Sequence, residues 1–219
     1  AQQTPHVLPG PASDAASVHQ KLLDAVAASE AMTRKAEQEH LPDLHMARIY
    51  WNLAMSYEDA GEIGRAEAAL VHAETLFRRS DTNGGELAEA LDGLAILNGA
   101  TGKISAAEKE ELEALQLRQK LGNRLTMARS WATMSALMLK QKKFDQARAF
   151  AQKAADEFAE NAGATFRDKL SARYALGMAL CGQKDYATAV PVLKSAVADA
   201  RSELSVQSAP VGIGEFLLG

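Results

Sequence analysis

A single cysteine, Cys181, is all the thiol chemistry this 219-residue chain can offer. It excludes an internal disulfide and a cysteine-based metal cluster, and it reads as a small, buried or half-buried hydrophobe. Aromatic residues supply only 5% of the sequence, too little to fill a β-sandwich with large side chains. Of six prolines, Pro5, Pro9 and Pro11 fall close to the start. No apolar run approaches the roughly 20 residues that cross a bilayer, which argues against membrane insertion. Neither sign of charge dominates: 24 Lys and Arg are interspersed with 28 Asp and Glu, for a net charge of −4. Nucleic-acid binding needs a concentrated basic face, and the sequence has none.

Catalytic signatures are missing too. There is no P-loop, no G-x-G-x-x-G after a strand and no G-x-S-x-G elbow. Gly84-Gly85 lies between helical stretches with nothing to cradle a phosphate. His40, Asp43 and His45, near Glu37 and Glu39, form the one cluster of ligand types, but Pro42 denies the two histidines a common helical face. Glu67, Glu74, Glu108, Glu110 and Glu113 read as solvated carboxylates on helix faces. The expectation is no metal, no cofactor and no enzyme in this segment. The chain opens Ala1-Gln2-Gln3 without Met, the form of a mature end after export, with a cytoplasmic chain as the alternative.

What is present is alanine, within an apolar content of 47%. Small residues at helix contacts predict an all-α protein. Residues 1–13 read as a flexible leader, and Ser13 or Asp14 offers an N-cap. Residues 14–40 then run without Gly or Pro, with Val18, Leu22, Ala25/Val26, Ser29 and Met32/Thr33 as an imperfect helical stripe. That suits a capping helix, the second half of an incomplete unit.

From residue 43 the sequence repeats. Ala66, Ala107, Ala147 and Ala189 each open the second helix of a pair, at spacings of 41, 40 and 42. Seven residues on stand Ala73, Ala114, Ala154 and Ala196, and twelve residues before stand Ala54, Ala95, Ser135 and Gly177. Ile63, Ile104, Phe144 and Tyr186 follow the turns, and Leu53, Leu94, Met134 and Leu176 precede the small residues. Helices approach closely where Ala, Gly or Ser sit at the crossing. One pair cannot cover its own apolar stripe, so pairs must stack. The pairs are expected at 43–80, 84–121, 123–161 and 164–204. Residues 205–219 are a tail or the start of a truncated fifth unit, in which Leu218-Gly219 would fall at the next Leu-small position.

These columns resemble the tetratricopeptide repeat (TPR), whose pattern is W-x2-L-G-x2-Y with later alanines on a 34-residue period. Tyr50, Leu53, Ala54 and Tyr57 match it here, as do Trp131, Met134 and Ser135. The longer period is similar to the long-repeat variety found in kinesin light chains and many bacterial proteins. Glu111 stands in a slot that is usually apolar, and Asn98 replaces the usual aromatic. The resemblance implies a right-handed α-solenoid whose first helices line a concave face. It implies a non-catalytic interaction module that takes a peptide or partner protein there, as a monomer or weak oligomer. A self-capped scaffold, or the regulatory segment of a larger enzyme or signalling protein, is the alternative.

On that face the expected binding residues are Arg48, Trp51, Asn52 and Met55, then Asp92 and Ile96, then Arg129 and Thr133, then Tyr174 and Met178. Trp51 and Tyr174 would anchor apolar side chains, and Asn52 would hydrogen-bond a peptide backbone. Arg48 and Arg129 would grip carboxylates bidentately, or else meet Asp92 and Glu89. The Lys and Asn clamp by which some relatives hold a C-terminal carboxylate is incomplete, with only Asn52 in place.

Overall fold

The computed structural model describes residues 11–80 and 84–203. Of the leader expected over residues 1–13, residues 1–10 lie outside the described residues, as does the expected tail. Pro11, Ala12 and Ser13 already belong to the first helix; Pro11 is tolerated in a first turn, where its missing N–H has no partner to lose. Among the described residues there are helices and no strand, and the chain divides after residue 82 into two compact units. The first unit holds α1 (Pro11–Gln38), α2 (Asp43–Asp59) and α3 (Ile63–Arg79). The second holds α4 (Gly85–Ala100), α5 (Ile104–Leu121), α6 (Arg124–Lys140), α7 (Phe144–Glu160), α8 (Phe166–Gly182) and α9 (Tyr186–Glu203). This is an all-α repeat architecture: α2 packs on α3, α4 on α5, α6 on α7 and α8 on α9.

Steric size explains the pairing. Ala66, Ala107, Ala147 and Ala189 are fully buried, and so are Ala73, Ala114, Ala154 and Ala196. The small residues of the first helices, Ala54, Ala95, Ser135 and Gly177, are buried opposite them. At one crossing the Ser135 hydroxyl donates to the Ala147 carbonyl at 2.9 Å, so its polar atom is satisfied in the dry contact. At another there is no room for any side chain, because a Cβ on Gly177 would stand 2.4 Å from Leu193 Cδ2.

Every pair is closed by the same turn. Gly61, Gly102, Lys142 and Lys184 adopt positive φ of 76°, 84°, 58° and 63°. The next amide then reaches back across the helix end: Glu62 to Tyr57, Lys103 to Asn98, Lys143 to Met138 and Asp185 to Leu180, at 2.8 to 3.0 Å. This left-handed closure satisfies carbonyls that the helix end would orphan. Glycine enters it freely, whereas each lysine bears a left-handed strain of about 1–2 kcal/mol.

Three helix starts among the described residues carry side-chain caps, one of them α9, where Asp185 Oδ1 accepts the Thr188 amide at 3.3 Å. Asn123 Oδ1 accepts the Thr126 amide at 3.2 Å ahead of α6. Thr165 and Asp168 form a reciprocal capping box at α8. In α9, Pro191 lies inside the helix rather than in its first turn, on an exposed side where water can meet the carbonyl it leaves unbonded.

In the first unit α1 packs on α2. Val26, Thr33 and Ala36 are its buried residues, while Val18 and Met32 are 55% and 47% exposed. Those two were expected on the stripe; the stripe instead follows Leu22, Val26, Ser29, Thr33 and Ala36, a better helical period. Polar contacts fix the register. The Ser29 and Ser56 hydroxyls meet at 2.8 Å, Tyr57 donates to Glu30 at 2.9 Å, and Tyr50 donates to Glu37 at 2.5 Å. Arg65 closes the knot from α3, pairing with Glu30 while lying 4.2 Å from the Tyr57 ring centroid. The Tyr57 hydroxyl, followed by Arg65, holds the Glu30 carboxyl below its ordinary range.

Candidate interaction surface

In the second unit α4 packs beside α6 and α6 beside α8, so the first helices of three pairs stand in a row. One turn of each presents Ile96, Ala136 and Met178. All three are exposed, Ile96 and Met178 at 47% and 39%. Beside them lies a pocket of about 380 Å³ whose walls include Ala100, Ala132, Thr133, Lys140 and Ser171. Small residues keep the floor low, and the apolar side chains stand along it as a stripe.

The expected site residues are distributed unevenly over this surface. Ile96, Thr133 and Met178 lie on it as anticipated from their spacing. Asp92 lies there too, but it is held rather than offered. It accepts the Thr133 hydroxyl at 3.1 Å and an Arg118 Nη2 hydrogen bond at 3.0 Å. Arg129 does not meet Asp92 or Glu89. It lies 3.3–3.4 Å from Asp168 and so ties α6 to the α8 capping box. Burial works to raise Asp168, but its bonds from Thr165 and Arg129 prevail and hold it below the usual carboxylate range. Tyr174 is half-buried and packs with Phe166 against Leu170, Ala196 and Ala200, so it belongs to the apolar interior of the fourth pair. In the first unit, Arg48 and Asn52 are exposed on α2, and Trp51 and Met55 are half-buried. α1 bonds to α2 through Tyr50, Ser56 and Tyr57.

Beneath the row lies a polar network that sequence reasoning missed. Arg118 on α5 is 1% exposed. It donates to Ser130 at 2.8 Å, Glu89 at 3.1 Å and Asp92, linking α4, α5 and α6. Glu111, about two turns back along the same face of α5, is 0% exposed, and neither of its oxygens has a hydrogen-bond partner. Arg118 Nη1 approaches it only to 3.8 Å. Burial, with the Asp92 carboxylate next, pushes the Glu111 carboxyl up to about 10, so it keeps its proton at neutral pH. The seven-residue step from Glu111 to Arg118 puts both on one helical face, which is the signal that could have exposed the pair.

No family profile matches the chain, and no curated protein matches it. Solved structures do. The chain is similar to BtubC (BKLC) from P. vanneervenii, with a TM-score of 0.67 at 17% identity, covering 85% of this chain and 91% of that one. It is similar to a kinesin light chain of Podosopora anserina with nearly identical TPR-like repeats, at a TM-score of 0.69 and 13% identity, over 87% and 92% of the two chains. It is also similar to a Rap protein complexed with Competence and Sporulation Factor, at a TM-score of 0.69 and 14% identity, over 91% of this chain and 60% of that one. The fold is therefore that of a TPR-like helical-repeat protein, the resemblance anticipated from the residue columns.

Proposed function

We propose that the chain is a non-catalytic interaction module that takes a peptide or partner protein along the face built from the first helices of its pairs. The observation that carries this reading is the exposed apolar stripe of Ile96, Ala136 and Met178 over small-residue floors. Contiguous apolar exposure on a soluble surface usually marks an interaction site. The neighbouring Rap structure, solved with a bound factor, supports the same use of the fold. Thr133 would supply a polar contact beside the stripe, with Asp92 fixing its hydroxyl, and on the first unit's own α2 Trp51, Met55, Asn52 and Arg48 would serve as anchors and donors.

The test compares the wild type with an Ile96→Glu, Met178→Glu double variant as bait for proteins co-purified from cells and identified by mass spectrometry. Both positions are exposed, so the variant keeps its helical circular dichroism. A partner retained by the wild type and lost by the variant is the expected result. A partner retained equally by both removes the stripe from the reading.

A further inference from the structure

The network beneath the α4–α6–α8 face has one cation for three carboxyls. Glu89 and Asp92 come from α4 and Glu111 from α5, and among the described residues only Arg118 lies within ion-pair distance of any of them. Its Nη2 is divided between Glu89 at 3.1 Å and Asp92 at 3.0 Å. Its Nη1 donates to Ser130 at 2.8 Å and stops 3.8 Å from Glu111. Glu111 is thereby left wholly buried with both oxygens unbonded, and Arg118 Nε is buried without an acceptor. Buried polar groups are as a rule satisfied, and orphaning a carboxyl costs more than one lost hydrogen bond. The Glu111 carboxyl is turned to this cluster, where burial and then the Asp92 charge keep it protonated. Three acids around one shared guanidinium are complementary to a second cation.

The cluster opens onto the face through Glu89, whose side chain is 44% exposed. Its Oε1 takes the Arg118 bond, and Oε2 accepts no hydrogen bond among the described residues. Asp92 lies one turn deeper, both oxygens engaged by Thr133 and Arg118, and adds its charge from beneath. Ile96 follows Asp92 by a further turn on the same side of α4. The other cations of the face are placed elsewhere. Arg129, forty residues after Glu89 in the repeat, is committed to Asp168. Lys140 walls the 380 Å³ pocket at its far end, about two turns beyond Thr133 along α6, and pairs with neither Glu89 nor Asp92. We propose that the partner peptide on this face carries a basic side chain beside an apolar one, the apolar group lying on Ile96 and the cation meeting Glu89 over Asp92. A cation there shares the load on Arg118 Nη2 and lets that guanidinium draw toward Glu111.

This rests on the α4–α6–α8 face being the interaction surface and adds the charge of what binds there. The experiment titrates the isotope-labelled full chain with acetyl-Leu-Leu-Arg-Phe-amide and, separately, with the same peptide carrying citrulline for arginine, which keeps the side chain's size but not its charge. Saturable amide shifts over residues 89–96 and 129–136 are expected, with the citrulline peptide about tenfold weaker or more. Glu89→Gln, at an exposed position, should bring the two peptides to within about twofold of each other. Lys140→Met should leave the arginine preference in place. Equal affinity of the wild type for both peptides, or an arginine preference that survives Glu89→Gln, overturns the basic partner and leaves the reading of the face standing. Shifts that do not saturate on this face with either peptide also overturn it. The capture experiment with the Ile96→Glu, Met178→Glu variant then decides the reading of the face by itself.

Discussion

Glu111 is a carboxyl that the second pair keeps wholly out of water. Its protonated form is favoured in the folded chain, chiefly by burial and then by the Asp92 charge. The raised folded-state value sets the sign of the pH effect. Below the ordinary carboxylate range both states bind the proton and burial of Glu111 carries no ionic penalty. As pH rises toward 10 only the folded state holds the proton, so stability is lost. Glu111→Gln removes that dependence. The variant should gain on the wild type by roughly 1.4 kcal/mol per pH unit, on the order of 4 kcal/mol between pH 5 and pH 8, measured as the difference in urea midpoints. A constant difference across that range would mean that Glu111 is already ionised in the fold. Gly177 poses the opposite problem, a lack of space. Gly177→Ala improves helix propensity by about 1 kcal/mol, but its Cβ would meet three atoms of buried Leu193 within 3.2 Å. Overpacking costs about 1–3 kcal/mol, so a net loss in thermal midpoint is expected. The small-residue columns were legible in sequence because their constraint is steric and local to each pair. Arg118 was not, because Glu89 and Asp92 lie 29 and 26 residues away on another helix, and periodicity registers only a helix's own faces.

At the scale of the element, α1 depends on a few polar contacts for its register. Tyr57→Phe removes the hydroxyl shared by Glu30 and Arg65, at a cost of about 1 kcal/mol. Faster amide exchange over residues 22–36, with α2 and α3 little changed, would show that this knot seats the helix; unchanged exchange would assign the seating to Val26 and Ala36 alone. The turns give a second prediction. Lys142→Gly relieves left-handed strain of about 1–2 kcal/mol and adds unfolded-state entropy worth somewhat less, so a small rise in melting temperature is expected. Gly61 and Gly102 stand two residues ahead of Ile63 and Ile104 and mark their turns by residue type. Lys142 and Lys184 gave no such sign, because there the flanking helices impose the left-handed conformation on a residue that does not prefer it.

At the scale of the molecule, the second unit is compact by itself, with three successive pairs covering one another's apolar sides. Residues 83–219 produced alone should therefore remain helical and unfold cooperatively. A broad, non-cooperative melt would show that this unit depends on the first. The fold class was readable from sequence because nearest-neighbour stacking repeats the same steric demand at each step. The surface was readable only in part: spacing located Ile96 and Met178, while Arg129 and Tyr174 were drawn into contacts of their own with Asp168 and with the apolar cluster around Leu170. The shared closure of the pairs has a practical use as well. Since backbone geometry rather than a side chain makes the turn, Lys142 and Lys184 hold their amines in open water at equivalent points of adjacent pairs. Dyes coupled to those two amines would form a molecular ruler, reporting any stretching or compression of the third and fourth pairs.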